Sequence, residues 1–159
     1  MSKHEQSQDA AHVGVPEDCV GVSVRESVAV GDWEAAAQVL QVLRPTLEVG
    51  KFIAQKEQLE RDGYRLVVAW AGKVAASVAS FTLSPHAMLG RELLIHDMAT
   101  CSGGAGRGYG TQLVKELCQI AKREGCGRVF VHTRNAAAFY EKNNFEVYST
   151  GLIFRVQSL

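Results

Sequence analysis

The stretch "HDMATCSGGAGRGYGTQLVKELCQIAKREG", residues 96–125, joins an apolar strand pattern to an amphipathic helix pattern through a loop rich in glycine. Five of the eight residues from Gly103 to Gly110 are glycine, more than a simple change of chain direction requires. A helix N-terminus carries unsatisfied N–H groups and a partial positive charge. Glycines ahead of it let the backbone close around an anion. The stretch therefore favours a loop that binds phosphate or pyrophosphate over a plain turn.

Two common phosphate-binding loops do not fit this sequence. A Walker loop ends in G-K-[ST], whereas Gly110 is followed by Thr111 and Gln112. A Rossmann fingerprint follows the first strand, and an acidic residue ends the next strand. Here the loop comes late in the chain, and the next strand ends near His132. A nucleotide-binding protein is therefore only the third hypothesis for this chain.

Alternating and helical periodicities place further elements before the loop. They predict, in order, a strand, two helices and three strands, over residues 20–30, 33–43, 47–62, 64–70, 73–83 and 92–100. Asp32 is the expected N-cap of the first helix, and Pro45 ends it. The short connection between the second and third strands predicts an antiparallel hairpin.

After the loop, apolar residues at helical spacing predict a long helix from Thr111 to Glu124, with Gly125 as its C-terminal cap. A strand, a short helix ended by Asn144 in a left-handed conformation, and two closing strands follow, over residues 128–133, 136–143, 145–149 and 152–156. The element order predicts an α/β protein with a mixed sheet, antiparallel early and with a β-α-β crossover over residues 92–132.

Composition and charge narrow the function classes. Lys plus Arg and Asp plus Glu both number 17, so the chain lacks the basic excess typical of a nucleic-acid partner. No apolar run approaches the ~20 residues of a membrane helix. Residues 1–19 read as a flexible polar tail without a secretory signal, followed by one domain over residues 20–159. Four cysteines without a C-x-x-C pair predict no metal site and reduced thiols, and hence a cytoplasmic protein.

Two segments, "HDMATCSGGAGRGYGTQLV" and "NAAAFYEKNNFEVYS", resemble the GNAT superfamily of acyl-CoA-dependent N-acyltransferases. The matching motifs are D-[LIM]-x-[VT], a G-x-G that opens a long helix, and A-x-x-F-Y-E-K. The resemblance covers residues 22–157 in element order and is specific over 92–148. Residues 43–67 are similar to a bacterial subgroup, and residues 139–145 more weakly to glucosamine-6-phosphate N-acetyltransferases. The resemblance implies the GNAT fold, a central, mostly antiparallel and splayed sheet flanked by helices.

The resemblance implies acetyl-CoA as the cofactor. Backbone N–H groups over residues 106–111 are expected to hold the pyrophosphate, and the strand over residues 98–100 is expected to pair with the pantetheine arm. The complete expected set is Met98, Ala99, Thr100, Ala105, Gly106, Arg107, Gly108, Tyr109, Gly110, Thr111, Asn135 and Tyr140.

Three features depart from the family motifs: Ala105, the turn "CSGG" over residues 101–104, and, more mildly, Asn144 where the family has glycine. Ala105 stands where relatives carry Gln or Arg, and a lost charged hydrogen bond there is worth ~1.5–3 kcal/mol. The backbone loop does not depend on that side chain, and Arg107 lies close enough in sequence to supply charge. Coenzyme binding is therefore expected to survive in a weaker form.

The resemblance also assigns catalytic roles. Tyr140 matches the family tyrosine that protonates the coenzyme sulfur, and a backbone N–H near Met98 or Ala99 is the expected donor to the oxyanion. For the base, His96 titrates near neutral pH, and Asp97 matches the family aspartate. Adjacent strand residues point to opposite faces, so at most one of these two is expected to face the amine. Two further candidates, Glu92 and His132, and a water relay remain open alternatives.

These observations predict an acetyl-CoA-dependent N-acetyltransferase that moves an acetyl group directly to a primary amine. A small-molecule amine or amino sugar is favoured over a protein acceptor, with no nucleic-acid or membrane partner. The alternative is a catalytically weak or inactive acyl-CoA-binding sensor of the same fold. Homodimers are frequent in the family that the chain resembles, and the predicted closing strands over residues 145–149 and 152–156 are the expected interface.

Overall fold

The computed structural model describes residues 21–148, which form one mixed sheet and five helices. The strands are β1 (Val22–Ser27), β2 (Arg65–Ala71), β3 (Val74–His86), β4 (Gly90–Thr100) and β5 (Arg128–Val131). The helices are α1 (Val30–Leu40), α2 (Val49–Ala54), α3 (Lys56–Arg61), α4 (Tyr109–Arg123) and α5 (Ala137–Lys142). The spatial strand order follows the sequence order, and every neighbouring pair is antiparallel except the parallel pair β4–β5. This confirms the expected mixed, mostly antiparallel sheet flanked by helices.

Helices α1 and α4 cover opposite faces of the sheet. On one face, the Tyr64 ring lies 5.9 Å from the ring of Trp33 in α1 and hydrogen-bonds Ser80 in β3. On the other face, the Arg65 guanidinium lies over the ring of Phe81, the residue after Ser80, and pairs with Glu124 at the end of α4. The core therefore has two layers, one on each side of the sheet.

The start of α1 differs from the expectation for Asp32. The N-cap is Ala29, and Asp32 lies inside the first turn, where its Oδ1 accepts a hydrogen bond of 3.0 Å from Arg25 Nη2. A carboxylate in the first turn favourably meets the positive end of the helix dipole. The prediction of Asp32 as N-cap is wrong because the helix begins at Val30, three residues before the predicted start at Trp33.

The helix expected over residues 47–62 is divided into α2 and α3 at Gln55, which is the C-cap of α2 and the N-cap of α3. Gln55 is a good helix former, so its propensity gave no sign of a break. On the core side of the break, Phe52 stacks on the Trp33 ring at 5.4 Å and the Lys56 ammonium lies 5.2 Å from the same ring. These tertiary contacts override local propensity.

The C-terminal elements are described in part. Asn144 has φ 65° after α5, which confirms the expected left-handed cap. Residues 145–148 form no strand, so the predicted strand over 145–149 is wrong for its described part. The predicted strand over 152–156 lies outside the described residues. Within residues 21–148, no helix is long and apolar enough to cross a membrane.

Candidate active site

The strands β4 and β5 separate halfway along β4. Their parallel pairing runs from Glu92 opposite Arg128 to Ile95 opposite Val131, and β5 ends there. Strand β4 continues to Thr100, paired on its other side with β3 as far as Ser77. The second half of β4 therefore has one edge without a β5 partner, which is the gap expected in a splayed sheet.

A β-bulge lies at the start of this gap. Ser80 of β3 is opposite Asp97, whereas the next residue, Phe81, is opposite Ile95, so His96 is an extra residue in β4. A bulge of this kind bends its strand and interrupts the alternation of side chains. The alternation of side-chain directions along β4 therefore shifts by one residue at His96.

The bulge brings His96 and Asp97 to the same face of the sheet. The His96 ring stacks on the ring of Tyr64 at 6.0 Å, and the charge of Asp97 acts on the same phenol. Asp97 is opposite Ser80, which hydrogen-bonds Tyr64. Simple alternation therefore does not hold across the bulge, and the expectation that at most one of the two faces the amine, which depends on that alternation, stays a prediction.

The register decides which backbone groups of β4 point into the gap. Cys101 N–H donates to the Ala76 carbonyl oxygen in β3 at 2.9 Å, and Asp97 N–H donates to Ser80 Oγ at 3.1 Å. Because backbone direction alternates along a strand, Met98 and Thr100 direct their N–H and carbonyl groups to the open edge. Ala99 faces β3, and its carbonyl oxygen accepts a hydrogen bond from Ser77 Oγ at 2.8 Å.

Three glycines give the loop its conformation. Gly103, Gly106 and Gly108 have φ of 79°, 77° and 82°, a left-handed region that other residues rarely adopt. A Cβ built on any of them meets no protein atom within 4 Å, so the space beside the loop is open. Gly108 is the N-cap of α4, which begins two residues earlier than predicted.

Free amides follow Gly108 at the start of α4. The first hydrogen bond of this helix runs from Gln112 N–H to the Gly108 carbonyl oxygen, so the N–H groups over residues 109–111 precede the helical ladder. Arg107 N–H, in contrast, donates to the Gly104 carbonyl oxygen at 3.3 Å inside the loop. No acidic side chain lies in the first turn of α4. The helix therefore presents a positive end and, within the part of the chain that the structure describes, three unpaired amides beside the open space.

Two other glycines serve packing. A Cβ on Gly104 would lie 2.9 Å from Thr100 Cγ2, and a Cβ on Gly110 would lie 3.1 Å from Phe139 Cζ. Gly110 thus lets α5 approach the first turn of α4. This contact holds α5, which also carries Tyr140, against the first turn of α4.

We expect the substitution Gly110→Ala to destabilise the protein by about 1–2 kcal/mol, because the added methyl overpacks the contact with Phe139. A matched control is Gly31→Ala in α1, where a Cβ meets no atom within 4 Å and alanine should stabilise the helix by roughly 0.5–1 kcal/mol. Urea denaturation measures both. Equal changes in the free energy of unfolding would contradict the packing role of Gly110, and Phe139→Leu should restore stability to Gly110→Ala.

The remaining predicted coenzyme residues lie around the loop. Ala105, Gly106, Arg107 and Gly108 are exposed, and Asn135 is exposed in the connection between β5 and α5. The side chain of Tyr109 is buried in the core, so only its backbone faces the loop.

Tyr140 is buried on α5, with the rings of Phe139 and Phe145 at 5.1 and 5.2 Å. Burial raises the pKa of Tyr140 to about 12, so its phenol carries a proton at neutral pH. The side chain lines a cavity of about 1250 Å³ between β5, α4 and the segment after α5. A protonated phenol is in the state that a proton donor requires.

Sequence reasoning missed Arg44, which follows α1. Arg44 Nε and Nη2 donate to Asp97 Oδ1 at 2.9 and 2.5 Å. This carboxylate raises the pKa of Arg44, which therefore remains a cation, and Asp97 is only 13% exposed. Arg44 and Asp97 are 53 positions apart. No sequence pattern links residues at such a separation without a known register.

His96, the first of the two base candidates, has one ring nitrogen held by a neighbouring hydroxyl. Its Nε2 lies 2.8 Å from Thr82 Oγ1 within hydrogen-bonding distance, which leaves Nδ1 for another partner. Partial burial lowers the pKa of His96, and the neighbouring Asp97 charge raises it by a smaller amount. The ring is therefore neutral at neutral pH and able to accept a proton.

The other two base candidates lie elsewhere. Glu92 is at the paired end of β4, where its Oε2 accepts a hydrogen bond of 2.7 Å from Arg128 Nε. His132 follows β5, with its ring against that of Phe130 at 4.8 Å. Neither joins the cluster of His96, Asp97 and Tyr64.

Residues 21–148 contain no group of three or more His, Cys, Asp or Glu side chains arranged to hold a metal ion.

Solved structures share this architecture. An acetyltransferase from Trypanosoma brucei aligns with a TM-score of 0.73 at 21% identity, covering 86% of this chain and 100% of that one. A glucosamine-6-phosphate N-acetyltransferase from Arabidopsis thaliana gives 0.73 at 18%, covering 87% and 100%. An aminoglycoside acetyltransferase from an uncultured soil metagenomic sample gives 0.73 at 12%, covering 86% and 97%. At these identities, the likeness establishes the fold.

The sequence comparisons give a family but no individual relative. No curated protein matches the chain. The profile of the acetyltransferase (GNAT) family matches residues 30–145, which include the glycine loop, the splayed strands and Tyr140. This match confirms the resemblance seen in the two motifs and the expected fold. The chain belongs to the acetyltransferase (GNAT) family.

Proposed function

We propose that this chain is an acetyl-CoA-dependent N-acetyltransferase that acts on the primary amine of a small molecule. The observation that carries the proposal is the gap between β4 and β5, where the backbone of Met98 and Thr100 points to an open edge. The glycine loop that follows β4 ends in the unpaired amides of α4. A ligand with an amide-bearing arm and a pyrophosphate matches these two features in that order.

The residues present fit coenzyme A. Its pyrophosphate would be held by the N–H groups over residues 109–111, with Gly106 and Gly108 leaving room for close approach. Its pantetheine arm would pair with the Met98 and Thr100 backbone. Ala105 offers no charged group, and Arg107 is the exposed cation in this loop. The family assignment, an acetyltransferase, supports acetyl-CoA as the donor.

Acetyl-CoA supplies a thioester, at which attack by the amine forms the C–N bond and breaks the C–S bond. His96 Nδ1 accepts the amine proton, because the ring is neutral and Nε2 is held by Thr82. Met98 N–H stabilises the negative charge that develops on the carbonyl oxygen. Tyr140 gives its proton to the departing thiolate. Asp97, fixed by Arg44, keeps its place beside the imidazole.

A second candidate is an acyl-CoA-binding protein with weak or no turnover. Ala105 supports it, since the charged side chain expected at this motif position is absent. In this alternative the backbone loop still binds the coenzyme, and no amine causes release of the free thiol.

Calorimetric titration with acetyl-CoA, with ATP and NAD as controls, tests the proposal. The transferase is supported if acetyl-CoA binds, ATP and NAD do not bind, and an amine then causes release of the free thiol. Binding without thiol release over a broad amine panel supports the second candidate. No acetyl-CoA binding contradicts both.

The base assignment gives a pH prediction. A base must be neutral, so kcat/KM should fall as the pH drops through the pKa of His96, which burial lowers from its ordinary value. His96→Gln should remove this acid limb. Asp97→Asn should move it to a still lower pH, because the carboxylate raises the pKa of His96. NMR titration of the His96 ring gives the same pKa independently. An acid limb unchanged in His96→Gln would assign the base elsewhere.

A further inference from the structure

A second cavity lies on the same face of the sheet as His96 and Asp97. It has a volume of about 290 Å³ and is formed by the segment between α1 and α2 together with α2 itself. Phe52 and Leu47 supply its apolar part, and Phe52 also contacts the Tyr64 ring at 6.3 Å. The polar lining residues are Arg44, Thr46, Glu48, Lys51 and Gln55.

Arg44 connects this cavity to the reaction site. Its Nε and Nη2 both contact a single oxygen of Asp97, so Nη1 is not used in that pair. The Arg44 side chain is 58% exposed, although its partner Asp97 is 13% exposed. Arg44 therefore holds Asp97 with one edge of the guanidinium and presents the rest to the cavity.

The second cation of the lining is Lys51. Its Nζ lies 2.7 Å from Glu48 Oε1, and the side chains are 74% and 64% exposed. Such an exposed pair contributes little, about 0–1 kcal/mol, so a stronger anion can displace it. The lining holds two cations and one carboxylate. Arg44 already pairs with Asp97, so it meets a further anion only with the part of its guanidinium that this pair leaves unused.

We infer that the acceptor is an amine that also carries an anionic group, a carboxylate or a phosphate, which Arg44 and Lys51 bind in this cavity. The inference rests on the proposed function, since it needs an amine at His96. The amine lies beside His96 and Asp97, and its anionic group extends past Arg44 toward Lys51. Guanidinium and ammonium groups recognise both anions through charge-assisted hydrogen bonds.

This charge arrangement disfavours a polycationic acceptor. An aminoglycoside brings several ammonium groups, for which a carboxylate-rich cavity is the complementary surface. Among the lining residues that lie within positions 21–148, Glu48 is the only carboxylate, and Lys51 already contacts it. The acceptor class therefore differs from that of the aminoglycoside acetyltransferase that shares the fold.

Matched acceptor pairs test the inference. With acetyl-CoA saturating, kcat/KM is measured for glucosamine 6-phosphate against glucosamine, for phenylalanine against phenylalaninamide, and for kanamycin. We expect at least one anionic member to exceed its neutral partner by about tenfold or more, the effect of a charge-assisted contact. The first pair reports on phosphate and the second on carboxylate. Preference for the neutral members or for kanamycin overturns the inference while leaving the transferase in place.

Variants separate recognition from structure. Lys51→Gln and Arg44→Gln should reduce the ratio of kcat/KM for the anionic over the neutral acceptor by about tenfold, mainly through KM. If Arg44 served only to hold Asp97, Arg44→Gln would lower kcat/KM for both acceptors equally and leave the ratio unchanged. The matched control is Arg123→Gln, an exposed arginine paired with Glu116 on α4, which should not alter the ratio.

Binding provides a readout besides turnover. The protein with coenzyme A is titrated calorimetrically with glucosamine 6-phosphate, glucosamine and inorganic phosphate. Tighter binding of the anionic amine, lost in Lys51→Gln, supports the inference, and equal binding of the charged and neutral amines overturns it. If acetyl-CoA itself does not bind, the proposed function fails rather than the acceptor class.

Discussion

Replacement of Gly108 by valine is expected to abolish acetyl-CoA binding, with a loss of at least about 100-fold in affinity. Gly108 has φ 82° and is the N-cap of α4. A β-branched residue is strained there by about 1–3 kcal/mol. The strain would turn the amides over residues 109–111 away from their common direction. The valine side chain would also fill the open space in which the pyrophosphate is expected.

A control for this prediction lies at the other end of the same helix. Gly125 has φ 69°, and a Cβ there likewise meets no protein atom within 4 Å. Gly125→Val therefore introduces comparable backbone strain away from the loop. Calorimetric titration of both variants, with thermal unfolding alongside, separates strain from binding. Acetyl-CoA affinity in Gly108→Val equal to that in Gly125→Val would remove the loop from the binding site.

The substitution Tyr140→Phe is expected to lower kcat by about 100-fold or more, the usual contribution of a general acid. Its effect on acetyl-CoA affinity should be small, because Tyr140 packs between two phenyl rings that phenylalanine also satisfies. Since burial raises the pKa of Tyr140 to about 12, its proton is retained throughout the neutral and mildly alkaline range. The wild-type kcat should therefore show no alkaline decline from this group until the pH approaches that value.

Stopped-flow measurement of thiol release, with calorimetry of acetyl-CoA, tests the role of Tyr140. Tyr148→Phe is a suitable control, because Tyr148 is 71% exposed and its ring contacts Arg128 rather than α5. Turnover of Tyr140→Phe equal to that of the control would exclude Tyr140 as the acid. A loss of affinity in place of turnover would make it a packing residue of the coenzyme site.

Local sequence signals were sufficient to predict the glycine loop and the helix α4 that follows it. The glycines, the helical spacing of Leu113 and Leu117, and the cap at Gly125 each depend on a few neighbouring residues, and the structure has all three. The left-handed Asn144 is of the same kind. Such features can be predicted because their physical cause lies within one turn of the chain.

The cluster of His96, Asp97, Tyr64 and Arg44 could not be predicted in this way. It depends on the bulge at His96, which is defined only when β4 is aligned with β3. One sign of the bulge was present in the sequence. The large apolar residues Leu93 and Ile95 are two positions apart, whereas the next one, Met98, comes three positions after Ile95. Arg44 and Tyr64 reach Asp97 and His96 only through tertiary packing. Their roles remained hidden for that reason.

The extra residue at His96 has a consequence for how such an enzyme diversifies. In the proposed function, donor recognition relies on main-chain groups, which most side-chain replacements leave unchanged. The proposed acceptor recognition uses side chains from the segment around Arg44 and Lys51, far away in sequence. Under this proposal, mutations there would change the amine that is accepted without weakening the binding of the acyl donor. New specificities would then arise by substitution in a single surface segment.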